Sequence, residues 1–359
     1  MLRCFFMFKS TIRDLNSGFS LDLRSAQDSR AHLKAAFICV DFPNKPAAES
    51  KHPDPSFFYE LLAADGLKVF DAVSYGRLKL EVTLFDKWFT MPKNDDEYGM
   101  ERVITYETHA AYIKDAIDVS SDEVDYDQFD ILYIVPVHGS AVPYSPTMCN
   151  KDWPIKGRNG KGCGSVVTFG ADMYFRKGKL FAHENGHILG LPDLYTYDVP
   201  EGCRDCFSHI GTFDLMGLIE GRAPDYLGYS KWRLGWIDDA QVRVLRAGES
   251  GVYDLTPVEL SGGQKLIVMP IDEYNGYVLE YREPAGLDMA LEHSGFVLYR
   301  INGTVGNGRG CITVIPPEDE KYLALDTRSE DGLILPGVTV EREGIRLTAL
   351  ENGRVRINR

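Results

Sequence analysis

From residue 32 onward the chain switches repeatedly between two hydrophobic periods. HLKAAFICVDF (His32 to Phe42) is a compact apolar run closed by PNKP, which predicts a buried strand. Phe57, Phe58, Leu61 and Leu62, then Val69, Phe70 and Val73, recur at helical spacing and predict two helices broken near Gly66. KLEVTLFDKWFTM, from Lys79, alternates at Leu80, Val82 and Leu84 and predicts a strand, and ERVITYETHAAYIKDAIDV, from Glu101, returns to the helical period. FDILYIVPVHG (Phe129 to Gly139) and CGSVVTFGADMY (Cys163 to Tyr174) read as further buried strands. The second lies directly before a helical stretch and is a candidate edge to which an extended peptide could add.

After about Asp239 the pattern becomes uniformly short and alternating. QVRVLRAGESGVYDLTPVE, KLIVMPI, NGYVLEYREP, SGFVLYRING, CITVIPP and GVTVEREGIRLTALENGRVRI are separated by Gly, Pro and Asn. That pattern predicts an all-β, sandwich-like unit. Residues 1–30 carry no clear period and read as an N-terminal arm or leader remnant. The expected organisation is therefore an arm (1–30), a mixed α/β domain (31–239) and a β-rich domain (240–359).

Composition removes several function classes. The formal charge of −14 argues against nucleic acid, because phosphate contacts need a basic face. No stretch approaches the ~18 uninterrupted apolar residues of a membrane span. The N-terminal apolar run, CFFMF, falls short of the roughly 7–15 residues of a secretory h-region, so no signal peptide is visible. Seven cysteines are an odd number and too few for a disulfide scaffold.

The chemistry concentrates in FAHENGHILGLPDLY, residues 181–195. His183-Glu184-Asn185-Gly186-His187 fits the zinc pattern H-E-x-x-H. Residues four apart share one helix face, so both imidazoles can reach one Zn²⁺. Glu184, offset by one position, points beside the metal, where it can take a proton from a water that zinc has acidified. Alone, these five residues also describe two surface histidines and a solvated glutamate. The tail changes the balance. Gly190 can end the helix in the left-handed conformation, Pro192 prevents its resumption, and Asp193 can then return to the metal as third ligand. The whole reads H-E-x-x-H-x-x-G-x-x-D.

Here the chain resembles the immune inhibitor A family of secreted zinc metallopeptidases, metzincin-like zincins, over roughly residues 32–300. The resemblance rests on AAFICVDFPN, VFDAVSYGRLKLEVTL, YDQFDILYIVPVHGSA, FAHENGHILGLPDLY, GTFDLMG, YSKWRLGWID and GYVLEYREPAGLDMAL, in the family's order. It implies an α/β zincin-type catalytic domain followed by the β-rich domain. It also implies one catalytic Zn²⁺, protein or peptide substrates, and secretion. Met216 of GTFDLMG would be the methionine-turn floor beneath the metal. The family continues its Pro-Asp-Leu-Tyr with aspartate, but Thr196 stands here and the next aspartate is Asp198. Asp193 is thus the first candidate for the third ligand and Asp198 the second. Relatives often carry a calcium-like loop before the strand at Phe129. Here Asp122, Asp125, Asp127 and Asp130 offer either a Ca²⁺ site or a solvated acidic loop.

An oxyanion donor should accompany the base. Tyr226, Tyr229, His209 and Tyr195 are candidates that spacing does not separate. Cys203 and Cys206 form C-x-x-C, with Cys149 and Cys163 available in the same half. Two disulfides are expected if the protein is secreted, and four thiols or a structural zinc otherwise. A thiolate at Cys4 could cap a catalytic zinc. The expected activity is zinc-dependent endopeptidase, with Glu184 as general base. The alternatives are a catalytically inactive zincin-fold binding or adhesion module, which the retained Glu184 disfavours, and an exopeptidase.

Overall fold

The computed structural model describes residues 27–199, 201–272 and 274–359. Most of the N-terminal arm, with Cys4, lies outside the described residues. The fold is mixed α/β, with several sheets and few helices. Among the described residues no helix is long and apolar enough to cross a membrane. Residues 27–70 and 78–190 form one compact unit, and residues 71–77 and 191–359 form a second. Residues 191–239, grouped by pattern with the first domain, therefore cluster with the β-rich part.

The first unit is built on a five-stranded mixed sheet. Its strands are β1 (His32–Asp41), β2 (Lys79–Thr90), β3 (Ile131–Pro136), β4 (Thr147–Cys149) and β7 (Ser165–Thr168), in the order β2-β1-β3-β7-β4. A two-stranded hairpin of β5 (Ile155–Lys156) and β6 (Gly162–Cys163) lies between β4 and β7 in the chain. β1 pairs in parallel with β2 and β3, and β3 with β7, while β4 runs antiparallel to β7. β1 and β3 are buried nearly end to end, as their unbroken apolar runs require of central parallel strands covered on both faces. On one face Ala36, Ile38, Val40, Leu132 and Ile134 pack with Tyr112, Ile113, Ala116 and Ile117 of the helix Tyr106–Ser120. Alternation sends Phe37 and Tyr133 to the other face. There Phe37 meets Tyr59, and Tyr133 meets Phe181 of the helix Met173–Ile188 with ring centroids 4.9 Å apart.

Two sequence expectations change here. The residues around Gly66 are not a helix break: Pro55–Tyr59, a π-helical turn at Glu60–Ala64 and Asp65–Val73 follow without interruption. Gly66 is small because a Cβ there would meet the Phe181 ring at 2.3 Å, and Gly178 is small because a Cβ there would meet the backbone N of Gly66 at 2.6 Å. The glycines mark a helix crossing. The second change concerns the sheet edge. β7 is interior, and the outer strand is β4, whose three residues are too few to display a period.

The second unit is sheet-rich. A six-stranded sheet contains β8 (Val242–Val244), β10 (Leu266–Pro270), β11 (Asn275–Arg282), β12 (Gly295–Asn302), β13 (Ile312–Val314) and β14 (Leu333–Ile334). A four-stranded sheet contains β9 (Ser250–Asp254), β15 (Thr339–Arg342), β16 (Ile345–Ala349) and β17 (Arg354–Asn358). Leu279, Phe296 and Leu298 of the first share one apolar core with Leu347, Val355 and Ile357 of the second.

Arg282, at the end of β11, is completely buried. Its guanidinium donates to Glu280 Oε1 at 2.7 Å and Asp288 Oδ2 at 2.5 Å, and to the carbonyls of Asp225 and Tyr226 at 3.2–3.3 Å. Glu280 Oε2 in turn accepts from Gly228 N and Tyr299 Oη. This network ties residues 225–228 to the sheet and accounts for their grouping with the β-rich part. Arg282→Met should cost about 3–5 kcal/mol, because it strands buried carboxylates without their cation. A urea unfolding midpoint close to that of the wild type would refute this role.

Candidate metal centre

The helix Met173–Ile188 follows β7 and is interrupted at Lys177, whose φ of 51° and ψ of −134° are non-helical. The run from Gly178 onward carries the motif. Its rotation is set by the residue between the two histidine turns. Tyr133 of β3 donates through Oη to Asn185 Oδ1 at 2.6 Å, and Asn185 Nδ2 donates to the Phe181 carbonyl at 2.8 Å. Asn185 sits roughly 200° round the helix from either histidine. Fixing it against the sheet therefore turns His183 and His187 to the opposite face. Asn185 is an unassigned position of H-E-x-x-H, so the pattern gave no hint of this anchor.

The helix ends as expected. Gly190 adopts φ 91°, its N–H donates to the His187 carbonyl at 2.9 Å, and the Leu189 N–H donates to Asn185 at 3.0 Å. Pro192 follows, and Asp193 comes back to the histidines. Donor atoms of His183, His187 and Asp193 all lie within 4.8 Å of one another. The three residues are 5%, 6% and 2% exposed, so this is an interior cluster and not a pair of surface histidines. The imidazoles meet edge to face at 5.0 Å. Two imidazoles and one carboxylate form the three-ligand donor set suited to a catalytic zinc with one position left open. Asp198 is exposed and is not in the cluster.

Glu184 lies beside this group, 6% exposed, and accepts from Thr147 Oγ1 at 2.7 Å through Oε2. Thr147 belongs to β4, so the outer strand of the sheet holds the carboxylate. Burial raises the proton affinity of Glu184 above the usual carboxylate range, with the neighbouring histidines and the Thr147 hydrogen bond pulling the other way.

The remaining candidates fall at varied distances from this chemistry. Met216 is buried, and its backbone carbonyl accepts from Leu194 N at 2.8 Å, which holds the residue after Asp193. Asp214 Oδ1 accepts from the Met216 N–H and Oδ2 from Leu227 N, both at 2.8 Å. Tyr226 and Tyr229 are buried, with rings against Trp236 and Trp232. Tyr195 packs on Tyr197 and Phe207. His209 is buried, which lowers its proton affinity. Tyr197, which sequence reading passed over, donates through its phenol to Asp193 Oδ2 at 2.6 Å.

In the acidic loop, Lys161 bridges Asp125 and Asp127 at 2.5 and 3.1 Å, and Asp130 accepts from Lys34 N at 2.9 Å. Cys149 and Cys163 are free thiols that donate to the carbonyls of His187 and of Asp130 and Ser165. The expected disulfides at these two positions are absent. Among the described residues, the His183–His187–Asp193 group alone brings three His, Cys, Asp or Glu donors close enough to share an ion, so the C-x-x-C pair builds no second centre.

No family model matches the chain, and no curated protein matches it in sequence.

Asp193→Ala should sharply lower the zinc retained by purified protein, whereas Asp198→Ala should leave it unchanged. Elemental analysis after gel filtration reads both. The reverse ranking would move the third ligand to Asp198.

Proposed function

We propose that the chain is a zinc-dependent endopeptidase with a zincin-type site, akin to the immune inhibitor A family. One observation carries the reading: an interior His183–His187–Asp193 donor group stands beside a buried Glu184 carboxylate. A mixed sheet with the motif helix packed on one face agrees with a zincin-type unit. A zinc ion held by these three residues would polarise a substrate carbonyl and acidify water beside it.

Glu184 supplies the proton chemistry. One carboxylate oxygen is held by Thr147, which leaves the other to take a proton from the attacking water and pass it to the leaving amine. Burial raises its proton affinity, which favours its taking up a proton as a general base. β4 ends the sheet on the same side and carries Thr147. An extended peptide adding to β4 would be read mainly through its backbone, which favours internal cleavage of unfolded or extended chains over recognition of a chain end.

Purified protein should hold about one zinc per chain and cleave casein, and a chelator should abolish cleavage. Glu184→Ala should keep the zinc and lower turnover by at least ~10²-fold. A Glu184→Ala protein that still cleaves casein at the wild-type rate would overturn the assignment. Thr147→Val should lower kcat about 10-fold with zinc content unchanged, and Thr147→Ser should restore it, the loss corresponding to about one hydrogen bond to a charged group. Equal kcat in the valine and serine variants would remove Thr147 from the mechanism.

A further inference from the structure

We propose that Asn307 and Tyr197 form a clamp that fixes Asp193 as third ligand, so that the β-rich part of the chain supplies a positioning residue to the metal centre. This rests on the zinc reading above. The clamp is a closed ring of hydrogen bonds. The Asp193 N–H donates to Asn307 Oδ1 at 2.5 Å, Asn307 Nδ2 donates to Tyr197 Oη at 2.5 Å, and Tyr197 Oη donates to Asp193 Oδ2 at 2.6 Å.

Asparagine suits the position because its amide offers an acceptor and a donor from one planar group. The ring also sets the amide's orientation, since the reverse placement would set NH₂ against the Asp193 N–H. With Asn307 in place, the phenol oxygen already has its donor, so the phenol hydrogen is directed to Asp193. Asn307 is 4% exposed and sits in the loop after β12, 114 residues from Asp193 along the chain.

Two backbone contacts brace the same junction. The Tyr197 N–H donates to the Gly308 carbonyl at 2.9 Å, and the Gly308 N–H approaches the Asp193 carbonyl at 3.4 Å. Gly308 has φ +63°, and a Cβ there would meet the Tyr197 ring at 2.6 Å, so this loop can lie on the tyrosine only with glycine at 308. Groups that hold a ligating carboxylate by hydrogen bonds set its direction and its basicity, and their loss commonly weakens metal binding 10- to 100-fold.

The test is zinc affinity, measured by competition with a chromophoric chelator on wild type, Asn307→Ala and Tyr197→Phe, with thermal unfolding of each metal-free protein as the control for folding. Tyr197 is half exposed, and its phenylalanine variant keeps the ring, so its metal-free unfolding midpoint should match the wild type. Both variants should bind zinc about 10- to 100-fold more weakly. A wild type that binds one zinc while both variants, folded, bind it equally well overturns the clamp and leaves the metal reading intact. A wild type that binds no zinc overturns the metal reading and the clamp's role together.

Discussion

A guanidinium with no exposed surface organises the second unit. Burying a charge is costly unless it is paired and hydrogen-bonded, and Arg282 meets both conditions through Glu280, Asp288 and two backbone carbonyls. The carbonyls belong to Asp225 and Tyr226, so the charge fixes backbone that has no regular structure of its own. From there the constraint passes along short polar links. Asp214 accepts from Leu227 N and Met216 N, and the Met216 carbonyl accepts from Leu194 N. Asp193 is thereby held on one side by a chain of contacts that ends at Arg282, and on the other by Asn307 and Tyr197. Its carboxylate direction is a product of the β-rich part of the fold as much as of the motif that contains it.

The histidines depend on a different set of contacts. Gly66 and Gly178 let two helices approach to the separation at which Phe181 fills the crossing, and Tyr133 then fixes the rotation through Asn185. Replacing either glycine would push the motif helix away from its neighbour, because the nearest obstruction at Gly178 includes backbone, which cannot rotate aside. The same sheet places Thr147 at its outer edge, so one framework sets the imidazoles and the Glu184 carboxylate together.

The sequence was legible where a local rule suffices. Unbroken apolar runs marked β1 and β3 because both of their faces are covered. Gly190 and Pro192 announced the end of the motif helix, and the return of Asp193 followed from that ending. Alternation marked β9 through β12 and β15 through β17. What was not legible depends on partners remote in sequence. β4 is three residues long and shows no period, so β7 looked like an edge. Gly66 looked like a helix break because the period does not reveal that Phe181 lies against it. Arg282 in NGYVLEYREP reads as an ordinary outward-facing strand residue, and nothing nearby announces its carboxylates. Asn307 sits among glycines in a loop, where its composition suggests only a turn.

The interior grouping of two carboxylates with two imidazoles bears on the cation proposed for this site. Glu184 and Asp193 are both interior, and each accepts a hydrogen bond from a hydroxyl, Thr147 Oγ1 on Glu184 and Tyr197 Oη on Asp193. Hydroxyl dipoles offset part of the desolvation of a carboxylate but bring no opposite charge. Histidines can supply charge only by protonating, and then they cease to be ligands. On the proposed reading a divalent cation would supply that charge without protonating either ring. Held by His183, His187 and Asp193, such an ion would leave both imidazoles neutral and coordinating and would set positive charge beside the Asp193 and Glu184 carboxylates together.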